Sequence, residues 1–236
     1  MALRALIFDF DGTLAETERD GHRVAYNAAF ADLGLSWAWD VARYGELLAV
    51  AGGKERIAHF IATENPPRPA GDALELAARV HARKVQRFED LARGIQLRPG
   101  VVRLVAEAKA TGMRLAIATT ANEHGVRAVL MMSPSVLAAF DLIAAGDAVS
   151  RKKPAPDIYL YALEKLGVNA DEAVAIEDSA IGLASARAAG IATLVTPSIY
   201  TAQEDFRGAA AVVNSLESSD GEPLVTLAFV RSLIAP

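Results

Sequence analysis

Polar clusters follow short apolar runs at several points in this 236-residue chain, and that repetition restricts its fold more than any other feature. Ala5-Leu6-Ile7-Phe8 runs into Asp9-Phe10-Asp11-Gly12-Thr13, Leu115-Ala116-Ile117-Ala118 into Thr119-Thr120-Ala121-Asn122, and Ala173-Val174-Ala175-Ile176 into Glu177-Asp178. A further cluster, Lys152-Lys153-Pro154, lies in the loop after Asp147. Such runs read as buried strands. The pattern predicts strands at Arg4–Asp9, Arg114–Ala118, Asp141–Ala145, Ala173–Ile176 and Ile191–Val195. Helices are predicted at Val101–Ala110, from Asn122, at Pro156–Leu166 and at Ser179–Ala189. This alternation implies an α/β fold with a parallel sheet covered by helices on both faces.

One stretch interrupts the alternation. Between residues 18 and 93 there is no strand pattern, only helical patterns at Thr17–Leu33 (closed by Gly34), Lys54–Thr63 and Asp72–Leu91. A Trp37/Trp39 segment and a Pro66-Pro67-Arg68-Pro69 loop join them, and the tryptophans read as core. The prediction is an α-helical domain over 18–94, inserted into a core domain made of 1–17 and 95–236. The tail is expected to add a strand at Gly208–Val213 and a helix at Glu222–Leu233.

Composition narrows the function. A hydrophobic share of 52% argues against global disorder, and a net charge of −5 without a basic block argues against nucleic-acid binding. Without cysteine there is no disulfide, thiolate nucleophile or cysteine-bound metal. No apolar run approaches the roughly 20 residues that span a bilayer. The expectation is a cytoplasmic protein with no membrane partner, and a monomer, since no long apolar stripe stands out.

In an open parallel sheet the carboxyl ends of the strands converge on one crevice. There Asp9, Asp11, Glu177 and Asp178 supply acids for a divalent cation, and Asp9 or Asp11 offers a nucleophile toward phosphorus. Thr119 brings a hydroxyl and nearby amides, and Lys153 an ammonium, for phosphate oxygens. That is the equipment of phosphoryl transfer.

The same segments carry a resemblance. DFDGT at Asp9–Thr13, Thr119 at its strand end, Lys153-Pro154 and EDSAIGLASARAAG at Glu177–Gly190 resemble the motifs of the haloacid dehalogenase superfamily phosphotransferases. The resemblance implies a Rossmann-like core with an inserted α-helical (C1) cap, of the kind shared with β-phosphoglucomutase. Within that superfamily, LAETE at Leu14–Glu18, HRVAYN at His22–Asn27, GGKERI at Gly52–Ile57, KKPAPDIY at Lys152–Tyr159 and TPSIYTAQEDF at Thr196–Phe206 are similar to the CbbY group. Members of that group dephosphorylate xylulose-1,5-bisphosphate, which implies a place beside the Calvin cycle.

The resemblance implies roles. Asp9 is the nucleophile that forms an aspartyl-phosphate, and Asp11 the general acid and then base. Thr119 and Lys153 hold the phosphoryl group. Mg²⁺ is bound by Asp9, the Asp11 carbonyl and Asp178, with Glu177 in support. A sugar bisphosphate also needs groups for the phosphate that stays: Lys54 and Arg56 after Gly52-Gly53, and His81 and Lys84 on one helix face. Glu18 is expected to meet sugar hydroxyls, with Thr120, Ala121 and Asn122 near the entrance. His22 reads equally as substrate-facing or as a surface residue.

Other readings use the same residues. A sugar phosphomutase differs only in how fast water reaches the phospho-enzyme, and phosphoglycolate is another ester within reach. Asp11 disfavours a phosphonate hydrolase with a Lys54 Schiff base, and the Glu177-Asp178 pair disfavours a dehalogenase. A non-catalytic sugar-phosphate sensor would be free to lose Asp9, Asp11 or Lys153, and all are present.

Overall fold

The computed structural model describes residues 2–50 and 52–234. The apolar run after Arg4 forms β1 (Ala5–Phe8), buried at every residue. A strand apolar on both faces needs cover on both, and here it takes the middle of a sheet. The chain continues through α1 (Arg23–Asp32), α2 (Val41–Leu47), α3 (Gly53–Glu64), α4 (Ala73–Ala92) and α5 (Val101–Ala110). Then come β2 (Arg114–Ala118), α6 (Glu123–Leu130), α7 (Pro134–Ala139), β3 (Leu142–Ala144), α8 (Asp157–Leu166), β4 (Ala173–Glu177), α9 (Ala180–Ala188), β5 (Ala192–Val195), β6 (Ala211–Val212) and α10 (Leu227–Ser232).

The strands form one sheet in the order β3-β2-β1-β4-β5-β6, and every pairing is parallel. This is the α/β parallel sheet that the alternation predicts and the Rossmann-like core that the resemblance implies. From β1 the chain builds outward on one side and then on the other, so the switch point falls beside β1. Phe8 is level with Ile117 on β2 and Ile176 on β4. That register sets Asp9 beside Glu177 and near Thr119. Small residues on the central strands (Ala5, Ala116, Ala118, Ala173, Ala175) let α8 and α9 pack closely through Ile158, Tyr159, Ala162 and Ala186.

The chain divides into two compact units, Met1–Glu16 with Gln96–Pro236, and Thr17–Ile95. In the second unit α4 packs on α1 and α3. Its core is aromatic: Trp39 sits 4.9 Å from Tyr26, 4.8 Å from Phe30 and 5.2 Å from Phe60, measured between ring centres. Trp37 belongs to the same cluster and donates from Nε1 to the Pro67 carbonyl at 2.7 Å.

Several elements depart from the sequence expectation. The helix expected over Thr17–Leu33 opens as a π-helical turn, Thr17–His22, before α1 begins. Buried Gly21 lies where a Cβ would meet Ile95 and the Phe88 ring, so packing reshapes this turn. Two short helices lie outside the predicted pattern: α2, capped by Asp40 on the Arg43 amide, and α7, which starts on Pro134. The last strand shortens to Ala211–Val212. The last helix starts only at Leu227, because Pro223 pairs in a bridge with Glu217 and Thr226 supplies the cap. Among the described residues no helix is long and apolar enough to cross a membrane.

Candidate active site

Asp9 follows β1 directly and is held level with β4 by its amide, which donates to the Ile176 carbonyl at 2.9 Å. Asp9, Glu177 and Asp178 are buried, and one carboxylate oxygen of each lies within 4.8 Å of the others. Lys153 reaches in from the loop before α8. Its ammonium stands 2.6 Å from Asp9 Oδ1 and 2.6 Å from Glu177 Oε1, with the side chain only 6% exposed. Burial pulls the Lys153 pKa down, but the two carboxylates outweigh it and hold it above the ordinary value. Lys152, by contrast, is exposed and donates to the Val149 carbonyl.

The carboxylates carry the cost of their crowding. Burial, opposed by Lys153 and reinforced by Asp9, raises the Glu177 pKa to about 7. Burial and the charges of Asp9 and Glu177 push Asp178 well above the carboxylate range. Acids held in this way favour a divalent cation among them. The donor set fits one: all ligands are hard oxygens, which suits Mg²⁺ or Ca²⁺. Among the described residues Glu177 Oε2 is buried with no hydrogen-bond partner. Gly12 and Gly182 leave room for the carboxylates, since a Cβ on either would overlap Asp178 and Glu177 respectively.

Asp11 sits in the turn after Asp9, half-buried, where Gly12 adopts φ +78°. Thr119 is buried at the end of β2; its amide donates to the Ala144 carbonyl and its hydroxyl accepts from the Ala121 amide at 3.0 Å. Thr120 is exposed and Ala121 half-buried. Asn122 is exposed, and its Oδ1 caps α6 by accepting from the Gly125 amide at 2.7 Å.

The residues expected to choose a substrate gather within the Thr17–Ile95 unit. The Tyr44 hydroxyl donates to Glu18 Oε2 at 2.5 Å, and Arg56 lies over the Tyr44 ring while donating to the Leu47 carbonyl. Gly52 turns the chain at φ +89° into α3, and Gly53 leaves no room for a Cβ beside His81 and the Tyr26 hydroxyl. Lys54 is exposed at this helix start. Lys84 Nζ donates to His22 Nδ1 at 2.8 Å and rests over the Tyr26 and Phe88 rings. Burial and then the Lys84 charge lower the pKa of both His22 and His81.

A model of the haloacid dehalogenase-like hydrolases matches residues 3–190. The chain belongs to that family. Protein CbbY of the Cupriavidus necator plasmid is 45% identical to it, over 94% of this chain and 89% of that protein. The crystal structure of CbbY from Rhodobacter sphaeroides in complex with phosphate shares 45% identity and covers 93% of this chain and 98% of its own, with a TM-score of 0.79. A CbbY mutant from the same organism, in complex with xylulose-(1,5)bisphosphate, shares 44% identity over 94% of this chain and 100% of its own, with a TM-score of 0.78. Family and relatives together make the chain a phosphatase.

Around this acidic cluster stand residues that the motifs do not single out. Tyr159 on α8 donates its hydroxyl to Glu177 Oε1, and its ring lies 5.1 Å from Lys153 Nζ. Ser198 and Thr201, in the loop after β5, bond to each other, and Thr201 reaches Asp178 Oδ2 at 3.2 Å. The only advance signal was their presence in the KKPAPDIY and TPSIYTAQEDF strings.

Proposed function

We propose that this chain is a Mg²⁺-dependent sugar-phosphate phosphatase that works through an aspartyl-phosphate on Asp9, with xylulose-1,5-bisphosphate as its substrate. The observation that carries the mechanism is the Lys153 ammonium 2.6 Å from both Asp9 and Glu177, beside Asp178. The substrate rests on the 44% identity to a CbbY that holds xylulose-(1,5)bisphosphate.

A carboxylate oxygen of Asp9 attacks phosphorus, and the sugar oxygen leaves with a proton from Asp11. Asp11 then takes a proton from water as that water attacks the phosphorus of the Asp9 phosphate. Inorganic phosphate leaves and the Asp9 carboxylate returns. Lys153, the Thr119 hydroxyl and nearby amides hold the phosphoryl oxygens in both steps. Mg²⁺ would be held by Asp9, Asp178 and the Asp11 carbonyl, with Glu177 in support, and when bound it neutralises phosphoryl charge. The Thr17–Ile95 unit acts as the cap that selects the sugar, through Glu18, Lys54, His81 and their neighbours.

The test is Mg²⁺-dependent phosphate release from xylulose-1,5-bisphosphate, beside ribulose-1,5-bisphosphate, glucose phosphates and phosphoglycolate, with Asp9→Asn as the blank. Preference for xylulose-1,5-bisphosphate supports both parts. Preference for another ester keeps the mechanism and discards the substrate, and conversion of glucose 1-phosphate to glucose 6-phosphate favours a mutase. A chain that binds these esters and releases no phosphate is a sensor.

A further inference from the structure

The mechanism makes no use of Arg98, although its side chain is only 10% exposed and its guanidinium feels the charge of Asp178. Nη1 donates to the Gly12 carbonyl and, at 2.7 Å, to the Thr196 carbonyl; Nη2 donates to the Pro197 carbonyl at 2.9 Å. Nε faces Glu16 Oε1 at 3.3 Å. The Arg98 amide donates to the Leu14 carbonyl at 2.8 Å. One side chain thus ties the turn after β1 to the loop after β5.

Those segments enclose Asp178. Gly12 is so close that a Cβ there would overlap the Asp178 carboxylate and lie 3.2 Å from Ser198 Cβ. On the other side Thr201 donates to Asp178 Oδ2 at 3.2 Å. The Ser198 amide in turn donates to Thr201 Oγ1 at 2.8 Å, which fixes the hydroxyl. Ser198 follows directly on Pro197, whose carbonyl Arg98 holds.

We propose that Arg98 is a positioning residue: it clamps the Gly12 turn against the Thr196–Pro197 loop and so aims the Asp178 carboxylate at the cation. The consequence for the cation rests on the reading of Asp178 as a metal ligand; the clamp itself does not. A planar guanidinium reaches several carbonyls in fixed directions, and a lysine ammonium does not reproduce that spread. Groups that orient a metal ligand typically change affinity when lost, although they never touch the metal.

The test uses the full chain with Arg98→Met, Arg98→Lys and Glu16→Gln. Mn²⁺ binding is read by electron paramagnetic resonance without substrate. Amide exchange at Gly12 and Ser198 is read in metal-free protein. Both Arg98 variants are expected to speed exchange at these amides and to weaken Mn²⁺ binding about ten- to a hundredfold. Glu16→Gln keeps the carbonyl contacts and should match the parent in both. If Arg98→Met does not fold, Arg98→Lys carries the test, because it retains the buried charge. Unchanged exchange in a folded Arg98 variant overturns the clamp. Faster exchange with unchanged Mn²⁺ affinity overturns the positioning role and leaves a purely structural tie. Failure of the parent chain to bind Mn²⁺ refutes the metal reading instead, and the exchange data still decide the clamp.

Discussion

Tyr159 donates its phenolic proton to Glu177 Oε1 across 2.5 Å, and both side chains are closed to solvent. Burial, and then the charge of Glu177, push the Tyr159 pKa well above its usual value, so the phenol stays a donor. Helix α8 therefore helps to hold a carboxylate that belongs to β4. Tyr159→Phe keeps the ring beside Lys153 and deletes this one bond. It is expected to cost about 1–3 kcal/mol in urea denaturation and to lower kcat about tenfold, with KM unchanged. A variant as stable and active as the parent would show that Lys153 alone secures Glu177.

Gly182 lies inside α9, where replacing glycine by alanine ordinarily stabilises a helix by about 0.5–1 kcal/mol. Here the added Cβ would overlap Glu177 Oε2. Gly182→Ala should reverse the usual sign and lower the thermal midpoint and kcat together. A raised midpoint with full activity would mean that Glu177 can move aside at no cost.

Lys54 and Lys84 should respond differently to replacement by methionine. Lys54 is exposed, whereas Lys84 is committed to His22 and two aromatic rings. Lys54→Met is expected to raise KM for a sugar bisphosphate about tenfold without loss of stability. Lys84→Met should lower the denaturation midpoint as well. Equal stability losses in both would remove the distinction.

The burial and cationic neighbours that depress the His22 pKa set a pH dependence. The unfolded imidazole takes up a proton below about 6.5, while the folded one resists it. Stability should therefore fall as pH drops from about 7 to 5, and His22→Gln should flatten that loss. Urea midpoints across this range give the answer; parallel curves for the two proteins would contradict it.

Three buried carboxylates crowd together beside Lys153, and a cation bound among them would relieve that crowding. Mg²⁺ should raise the thermal midpoint, by about 2.7 kcal/mol of stability at a hundred times its dissociation constant. EDTA should reverse the shift and Asp178→Asn should abolish it. A shift that survives Asp178→Asn would place the cation elsewhere.

The sequence by itself determined the sheet and the acidic centre. Apolar runs such as Ala5–Phe8 and Ala173–Ile176 are short-range patterns, and the groups that matter lie one or two residues beyond them. Once the strands run parallel and in register, Asp9, Glu177 and Asp178 meet without further instruction. What only the tertiary structure decided is how these groups are held and which neighbours are free. Arg98 on Gly12, Thr196 and Pro197, Tyr159 on Glu177, and Thr201 on Asp178 join positions far apart in the chain. No local pattern encodes such pairs, because side-chain hydrogen bonds depend on where distant backbone comes to rest. The same holds for the π-helical turn around Gly21, where a Cβ would meet Phe88 and Ile95.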